Sequence, residues 1–294
     1  MVSSSPPETS GPRLTLPTVT LCAAASVNVA ATLAALGRSL DRIDFAECLF
    51  FTDSAVSIDD ARIRFVPIAR LDSAEDYSNF IIGSLADYIQ SEHCLIVQWD
   101  GFVLSPDRWE PGFLEYDYIG APWPQFDDGH NVGNGGFSLR SRKLLESCRD
   151  SRFVGAHPED VAICRSNRPF LEREHGISFA DFSIAEHFSF ERTESASPSF
   201  GFHGIFNLIP VLGSDEFWEI YRGLDDQTSA FRDYRPLMMQ LGSGSKAVTR
   251  RARFTLDFLR HLARGPSGRG RRREVPTSIA VHAERSRGDL IPRS

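Results

Sequence analysis

Between Thr18 and Asp100, apolar runs of strand length alternate with stretches of helical period, and that alternation restricts the chain to few folds. Thr18-Val-Thr-Leu-Cys-Ala reads as a buried strand, and Val27 to Leu40, rich in Ala and Leu, as a helix. Glu47-Cys-Leu-Phe-Phe-Thr is a second strand ending at Asp53, and Ile63-Arg-Phe-Val-Pro a third. Phe80, Ile81, Leu85 and Ile89 recur at helical spacing, which predicts a helix over 76–89. His93-Cys-Leu-Ile-Val-Gln-Trp is then a central strand, closed by Asp100-Gly101. The order β-α-β-β-α-β predicts an α/β fold with a mostly parallel, Rossmann-like central sheet flanked by helices.

The 294 residues are enough for one large α/β domain, expected over 14–262, with Ser/Pro-rich residues 1–13 disordered and 263–294 a basic flexible tail. A net charge of −7 argues against a nucleic-acid-binding body, which needs clustered Lys and Arg. From Arg250 onward, however, twelve arginines stand against four acidic residues. That tail is open to two fates: a solvated segment, or a peripheral contact with acidic lipid at the inner membrane face. The five cysteines (Cys22, Cys48, Cys94, Cys148, Cys164) are odd in number and form no CxxC pair, which fits buried thiols in a reducing cytoplasm. Leu14 to Leu36 superficially resembles a leader. Pro17, Thr18, Thr20, Ser26 and Asn28 interrupt its apolar core, and a strand followed by a helix explains it better. No run reaches the ~20 apolar residues of a membrane span.

After Gly101 the chain becomes rich in aromatics, Gly and Pro. Short helices are expected over 141–148 and from Pro158, with others over 215–221 and 252–262. Four segments here could carry chemistry. Gln98-Trp99-Asp100 ends a central strand, the edge where open α/β sheets bind ligands, and an Asp there suits a hard cation or simply caps the turn. Gly133-Asn134-Gly135-Gly136-Phe-Ser-Leu-Arg140 is neither a P-loop nor a GxGxxG fingerprint. Its glycines suit either a hairpin or a loop that lets a ligand approach the backbone, with Asn134 and Arg140 around it. In His157-Pro158-Glu159-Asp160 the adjacent carboxylates either open a helix, with Pro158 at its first position, or serve as a base. Phe200-Gly-Phe-His203-Gly presents an imidazole from a tight turn. Asp53 could touch a base or ribose, or cap its turn. Tyr116-Asp117-Tyr118 could line a sugar site by stacking, whereas Trp109, Trp123 and Trp218 read as core or pocket wall.

Taken in order, Val97-Gln-Trp-Asp-Gly-Phe, Tyr116-Asp-Tyr-Ile-Gly-Ala-Pro-Trp, Val132-Gly-Asn-Gly-Gly-Phe-Ser-Leu-Arg-Ser, Pro158-Glu-Asp and Phe200-Gly-Phe-His-Gly resemble the glycosyltransferase-like DUF5672 family. The order is also similar to metal-dependent inverting GT-A enzymes of the β-1,4-galactosyltransferase type. That resemblance implies a GT-A-like domain that transfers a sugar from a nucleotide-sugar donor, a UDP-sugar above others, to a saccharide or glycolipid acceptor. It further implies Asp100 and His203 as ligands of Mn²⁺ or Mg²⁺, Asp160 as the base and Glu159 as an acceptor ligand. Donor contacts would come from Asp53, Gln98, Asn134, Gly135, Gly136 and Arg140. One departure matters: Gln98 stands where those enzymes carry the first Asp of Asp-x-Asp, and an amide brings no charge to a cation. A non-catalytic binding module and a nucleotide-sugar hydrolase remain the competing readings.

Overall fold

The computed structural model describes residues 13–56, 58–193 and 198–264. Its first half follows the expected order: β1 (Leu14–Ala24), α1 (Val29–Leu40), β2 (Ile43–Thr52), β3 (Ile63–Pro67), α2 (Ala74–Asn79) and β4 (His93–Val97). Two short strands follow, β5 (Tyr118–Ile119) and β6 (Phe137–Ser141), then α3 (Arg142–Ser147), α4 (Glu159–Val161), α5 (Arg168–His175) and α6 (Phe182–Phe188). A two-stranded ribbon of β7 (Ser189–Phe190) and β8 (Gly201–Phe202) leads into five helices. These are α7 (Ile205–Leu212), α8 (Ser214–Gly223), α9 (Thr228–Arg232), α10 (Tyr234–Gln240) and α11 (Ala247–Arg264).

The sheet runs β3-β2-β1-β4-β6-β5; β1 to β4 are mutually parallel, and β6 pairs antiparallel with both β4 and β5. Strand order therefore reverses at β1/β4, where a doubly wound sheet opens a crevice at its carboxyl edge. Alternate residues fill opposite faces, as a strand's period of two requires. Leu21, Ala23, Phe50, Leu95 and Val97 pack with α1 and α6, while Cys22, Leu49, Phe51, Cys94 and Ile96 pack with the α2 segment and α3. β1 starts four residues before the expected strand, and its register with β2 shifts between Leu16 and Thr20. Pro17 lies in that break, where its missing N–H costs no ladder bond.

Three expectations are corrected. The helix over 76–89 starts earlier, at a Ser73 cap accepting from the Asp76 N–H, and then breaks into a wide π-type turn (Phe80–Ser84) and a 3-10 turn (Leu85–Asp87). Gly83 and Ser84, weak helix formers, sit at the break. Pro158 is the cap of α4 rather than its first residue. Arg13 is ordered, donating to the Asp44 carboxylate and to the carbonyls of Leu40, Asp41 and Ile43. The expected disorder of residues 1–12 and the flexible tail from 265 lie outside the described residues, and α11 continues two residues past the expected end of the domain. All five cysteines are buried and unpaired. Among the described residues no helix is long and apolar enough to cross a membrane.

Candidate functional site

Antiparallel pairing of β6 with β4 puts the start of one beside the end of the other. Val97 is paired with Phe137, so the loop Gly133–Gly136 lies next to Gln98-Trp99-Asp100 at the carboxyl edge of the parallel strands. Gln98 and Gly101 close a tight turn through Gly101 N–H to Gln98 O (3.0 Å). The β7/β8 ribbon aligns Phe190 with Phe202, so the next residues, Glu191 and His203, are neighbours too. The backbone locks this in place: His203 N–H donates to Phe190 O, and Gly204 N–H to Asp100 O, both at 3.0 Å.

The result is a half-buried imidazole between two carboxylates. His203 Nε2 stands 3.3 Å from Asp100 Oδ1, and His203 Nδ1 stands 3.5 Å from Glu191 Oε1 and 3.2 Å from the Asn134 amide nitrogen. Burial alone would push the imidazole pKa down, but Asp100 and then Glu191 outweigh it and raise it to about 10. Glu191, which burial would raise, is held below the ordinary carboxylate range chiefly by His203. Asn134 adopts the left-handed conformation (φ 67°) that Asn tolerates, and its Oδ1 accepts the Gly136 N–H at 3.0 Å. Its amide thus fixes the loop and brings it against the imidazole.

The glycines of this loop have a different use from the one expected. A Cβ on Gly136 would lie 2.1 Å from His203 Nε2, one on Gly135 1.9 Å from Glu159 Oε1, and one on Gly133 2.1 Å from the Trp123 ring. They make room for the protein's own side chains rather than for an open ligand cradle. Gly135 also anchors the acid pair: its N–H donates to Asp160 Oδ2 (3.1 Å), while Asp160 Oδ1 accepts from Val161 N–H (2.8 Å). Burial first, and the neighbouring Glu159 second, raise the Asp160 carboxyl to about 7.

Arg140 does not face a ligand, contrary to expectation. It sits on β6 with no exposed surface, donating Nη2 to Glu159 Oε1 (2.9 Å) and Nε to Ser138 Oγ (3.0 Å), with its guanidinium 5.2 Å over the Tyr118 ring. Glu159 is accordingly a buried ion-pair partner (5% exposed), which leaves it poorly placed to bind an acceptor. Tyr118 is itself fully buried and belongs to the core, while Tyr116 and Asp117 are half-buried. Asp53 lies on the carboxyl edge two strands from β4; the Ser26 hydroxyl and the Arg70 guanidinium (3.2 Å) hold its carboxyl below the usual range.

Sequence reading missed Glu191. A signal was present, because Phe188-Ser-Phe-Glu191 and Phe200-Gly-Phe-His203 are two copies of one aromatic-x-aromatic-polar pattern, the copies that pair as β7 and β8.

Among the described residues no group of three or more His, Cys, Asp and Glu is arranged to hold a metal ion. Asp100 Oδ1 and His203 Nε2 are nevertheless buried, face each other, and make no hydrogen bond, two unpartnered polar atoms that fit two ligands of one hard or borderline cation. A polar recess of about 250 Å³ lined by Ser214, Asp215, Lys246 and Arg250 lies elsewhere, between α8 and α11, and holds none of these residues.

Two solved structures with some likeness are glycosyltransferases. One is described as involved in glycosylation of the major capsid of PBCV-1 (11% identity, 70% of this chain and 100% of that one, TM-score 0.41). The other is the apo form of GlyE from Streptococcus pneumoniae TIGR4 (13% identity, 72% of this chain, TM-score 0.41), of which the chain spans 61%. No curated protein matches the sequence. Residues 60–203, which contain Gln98, Asp100, Asn134, Glu159, Asp160, Glu191 and His203, match the model of the family described as "Protein of unknown function (DUF5672)".

Proposed function

We propose that the protein is a glycosyltransferase of GT-A type, moving a sugar from a nucleotide-sugar donor, with a UDP-sugar favoured, to a hydroxyl of a saccharide or glycolipid acceptor with inversion. The observation that carries this reading is the convergence, at one carboxyl edge of a doubly wound sheet, of an Asp–His–Glu cluster and a separate carboxyl raised to about 7.

Asp160 is the base. A carboxyl near 7 is poised to accept the acceptor's proton at neutral pH, and the N–H groups of Gly135 and Val161 fix its plane. Asp100 and His203 are the residues that would hold Mn²⁺ or Mg²⁺; such a cation supplies charge neutralisation for a leaving diphosphate. Without a cation, the protonated His203 is itself a positive centre at the same edge, oriented by Asp100 and Glu191. The Arg140–Glu159 pair holds Asp160 and Gly135 in register from beneath.

The test is incubation of the purified chain with a panel of nucleotide sugars, with and without saccharide acceptors and Mn²⁺. Acceptor-dependent transfer that falls roughly 10²–10⁴-fold in Asp160→Asn is the expected result. Release of nucleotide without any acceptor would instead indicate a hydrolase, and binding without turnover a non-catalytic module. Full transfer by Asp160→Asn would remove the base assignment.

A further inference from the structure

Four of the seven large apolar residues exposed among the described residues stand on one helix, α11: Val248 (83% exposed), Leu256 (42%), Leu259 (54%) and Leu262 (57%). At the α-helical repeat these four and the exposed Ala252 occupy about 120° of the circumference. Thr255 within that arc is half-buried and bonds the Tyr234 hydroxyl (2.8 Å), and the adjoining side of the helix holds it to the protein. Phe254 is fully buried against Tyr221 and Tyr234, Phe258 stacks on Tyr234 at 4.3 Å, and Arg250 is buried and ion-paired with Asp215. The helix thus carries two apolar faces, of which the tertiary structure covers one.

The uncovered face has a charged frame. Arg251 borders one edge and Arg253 and Arg260 the other, all exposed. Such side chains lay their stems over apolar surface while the guanidinium stays at a polar boundary. This frame belongs to a larger asymmetry. Residues 250–294 contain twelve arginines and four acidic residues, whereas residues 1–249 contain 20 basic and 35 acidic ones. In sequence, Arg269, Arg271, Arg272 and Arg273 follow within ten residues of the helix end. Positive charge is therefore segregated onto the segment that bears the apolar ridge, on an otherwise acidic chain.

We propose that α11 lies along the surface of an anionic phospholipid bilayer, with the Val248–Leu262 ridge at the headgroup–acyl boundary and the flanking arginines at lipid phosphates. Charge complementarity selects this occupant. A nucleic acid would use the arginines but has no use for the ridge, and a second copy would set one arginine frame against another. An 18-residue helix, about 27 Å long, with five arginines and one Asp along it, lies on a membrane rather than spanning it. The ridge is remote in sequence from the Asp100–His203 cluster, and the inference does not rest on the transfer reading.

Co-sedimentation of the full chain with vesicles tests it, comparing pure phosphatidylcholine with an equal mixture of phosphatidylcholine and phosphatidylglycerol. Binding to the mixed vesicles, much weaker to the neutral ones and reduced by salt, is expected. Leu259→Glu/Leu262→Glu should lower that binding roughly tenfold or more, with an unchanged melting temperature because both residues are exposed. Three results would overturn the proposal. One is no preference for anionic vesicles. Another is undiminished binding by Leu259→Glu/Leu262→Glu together with loss in Arg271→Glu/Arg272→Glu/Arg273→Glu, which would assign the contact to the tail. The third is a parent dimer in sedimentation that the leucine variant converts to monomer without any vesicle binding. Transfer to a soluble acceptor should be equal in parent and leucine variant, so failure here leaves the catalytic proposal standing.

Discussion

Replacing Arg140 by methionine keeps the side chain's length and removes its charge, and the structure sets the size of the consequence. The guanidinium is fully buried, and its partner Glu159 has a side chain only 7% exposed at 2.9 Å, so water cannot take over when the cation is lost. Breaking a buried pair by removing one member costs about 3–5 kcal/mol, because a buried carboxylate is left alone. At roughly 2–4 °C per kcal/mol for a domain of this size, Arg140→Met should lower the melting temperature by about 6–20 °C. Arg140 also helps to hold the Asp160 carboxyl down, so without it Asp160 titrates above its parent value of about 7. A folded pKa above the unfolded one means that the protonated form is favoured by folding. Stability from Asp160 is thus present at low pH and lost as pH rises through the folded value, so the variant's deficit should be larger at pH 8 than at about pH 5. Glu159→Leu in the same background removes the stranded carboxylate, and at least half of the loss should return. Thermal unfolding followed by circular dichroism across that pH range measures all three quantities. A single-variant cost below about 1 kcal/mol, or a double variant no better than the single one, would refute the account of Arg140–Glu159 as a buried pair.

Further outcomes are expected. The pH profile of kcat/KM for transfer should rise to a plateau above about 7, because Asp160 acts in its ionised form; a profile flat between pH 5 and 8 (about two units around that value) would contradict the base assignment. Gly136→Ala places a methyl against the His203 ring, which Asp100 and Glu191 hold from both sides, so it should cost about 1–3 kcal/mol in unfolding experiments. Gly37→Ala, on α1 with open space around its Cβ, should stabilise by about 0.5–1 kcal/mol and serves as the opposite-sign control. Thermal-shift screening with UDP should show a stabilisation that Mn²⁺ enlarges, and Asp100→Asn should erase only the Mn²⁺-dependent part; equal shifts in both proteins would place the cation elsewhere.

Much of this protein is legible along the chain. β3 occupies the five residues expected of it, β4 starts at His93 as expected and ends two residues early at Val97, and the sheet is α/β and mostly parallel, because alternating apolar runs and helical periods are local properties of the chain. The motifs Gln98-Trp-Asp100, Asn134-Gly-Gly, Glu159-Asp160 and His203 were also recognisable as residue types with chemistry in them. What each one touches was not legible. Arg140 and Asn134 looked alike as polar residues around a glycine loop, yet one is sealed under Tyr118 and Glu159 while the other pins the loop against His203. Glu191 carries only the faint signal of a repeated aromatic-x-aromatic-polar pattern, and it becomes part of the site because β7 pairs with β8. Likewise, the exposure of Leu259 and Leu262 depends on which side of α11 meets Tyr221, Phe231 and Tyr234. Period and propensity specify an element and its faces. Which face is buried, and which charges share that burial, depends on contacts between residues far apart in the chain, and only the folded arrangement of the sheet supplies them.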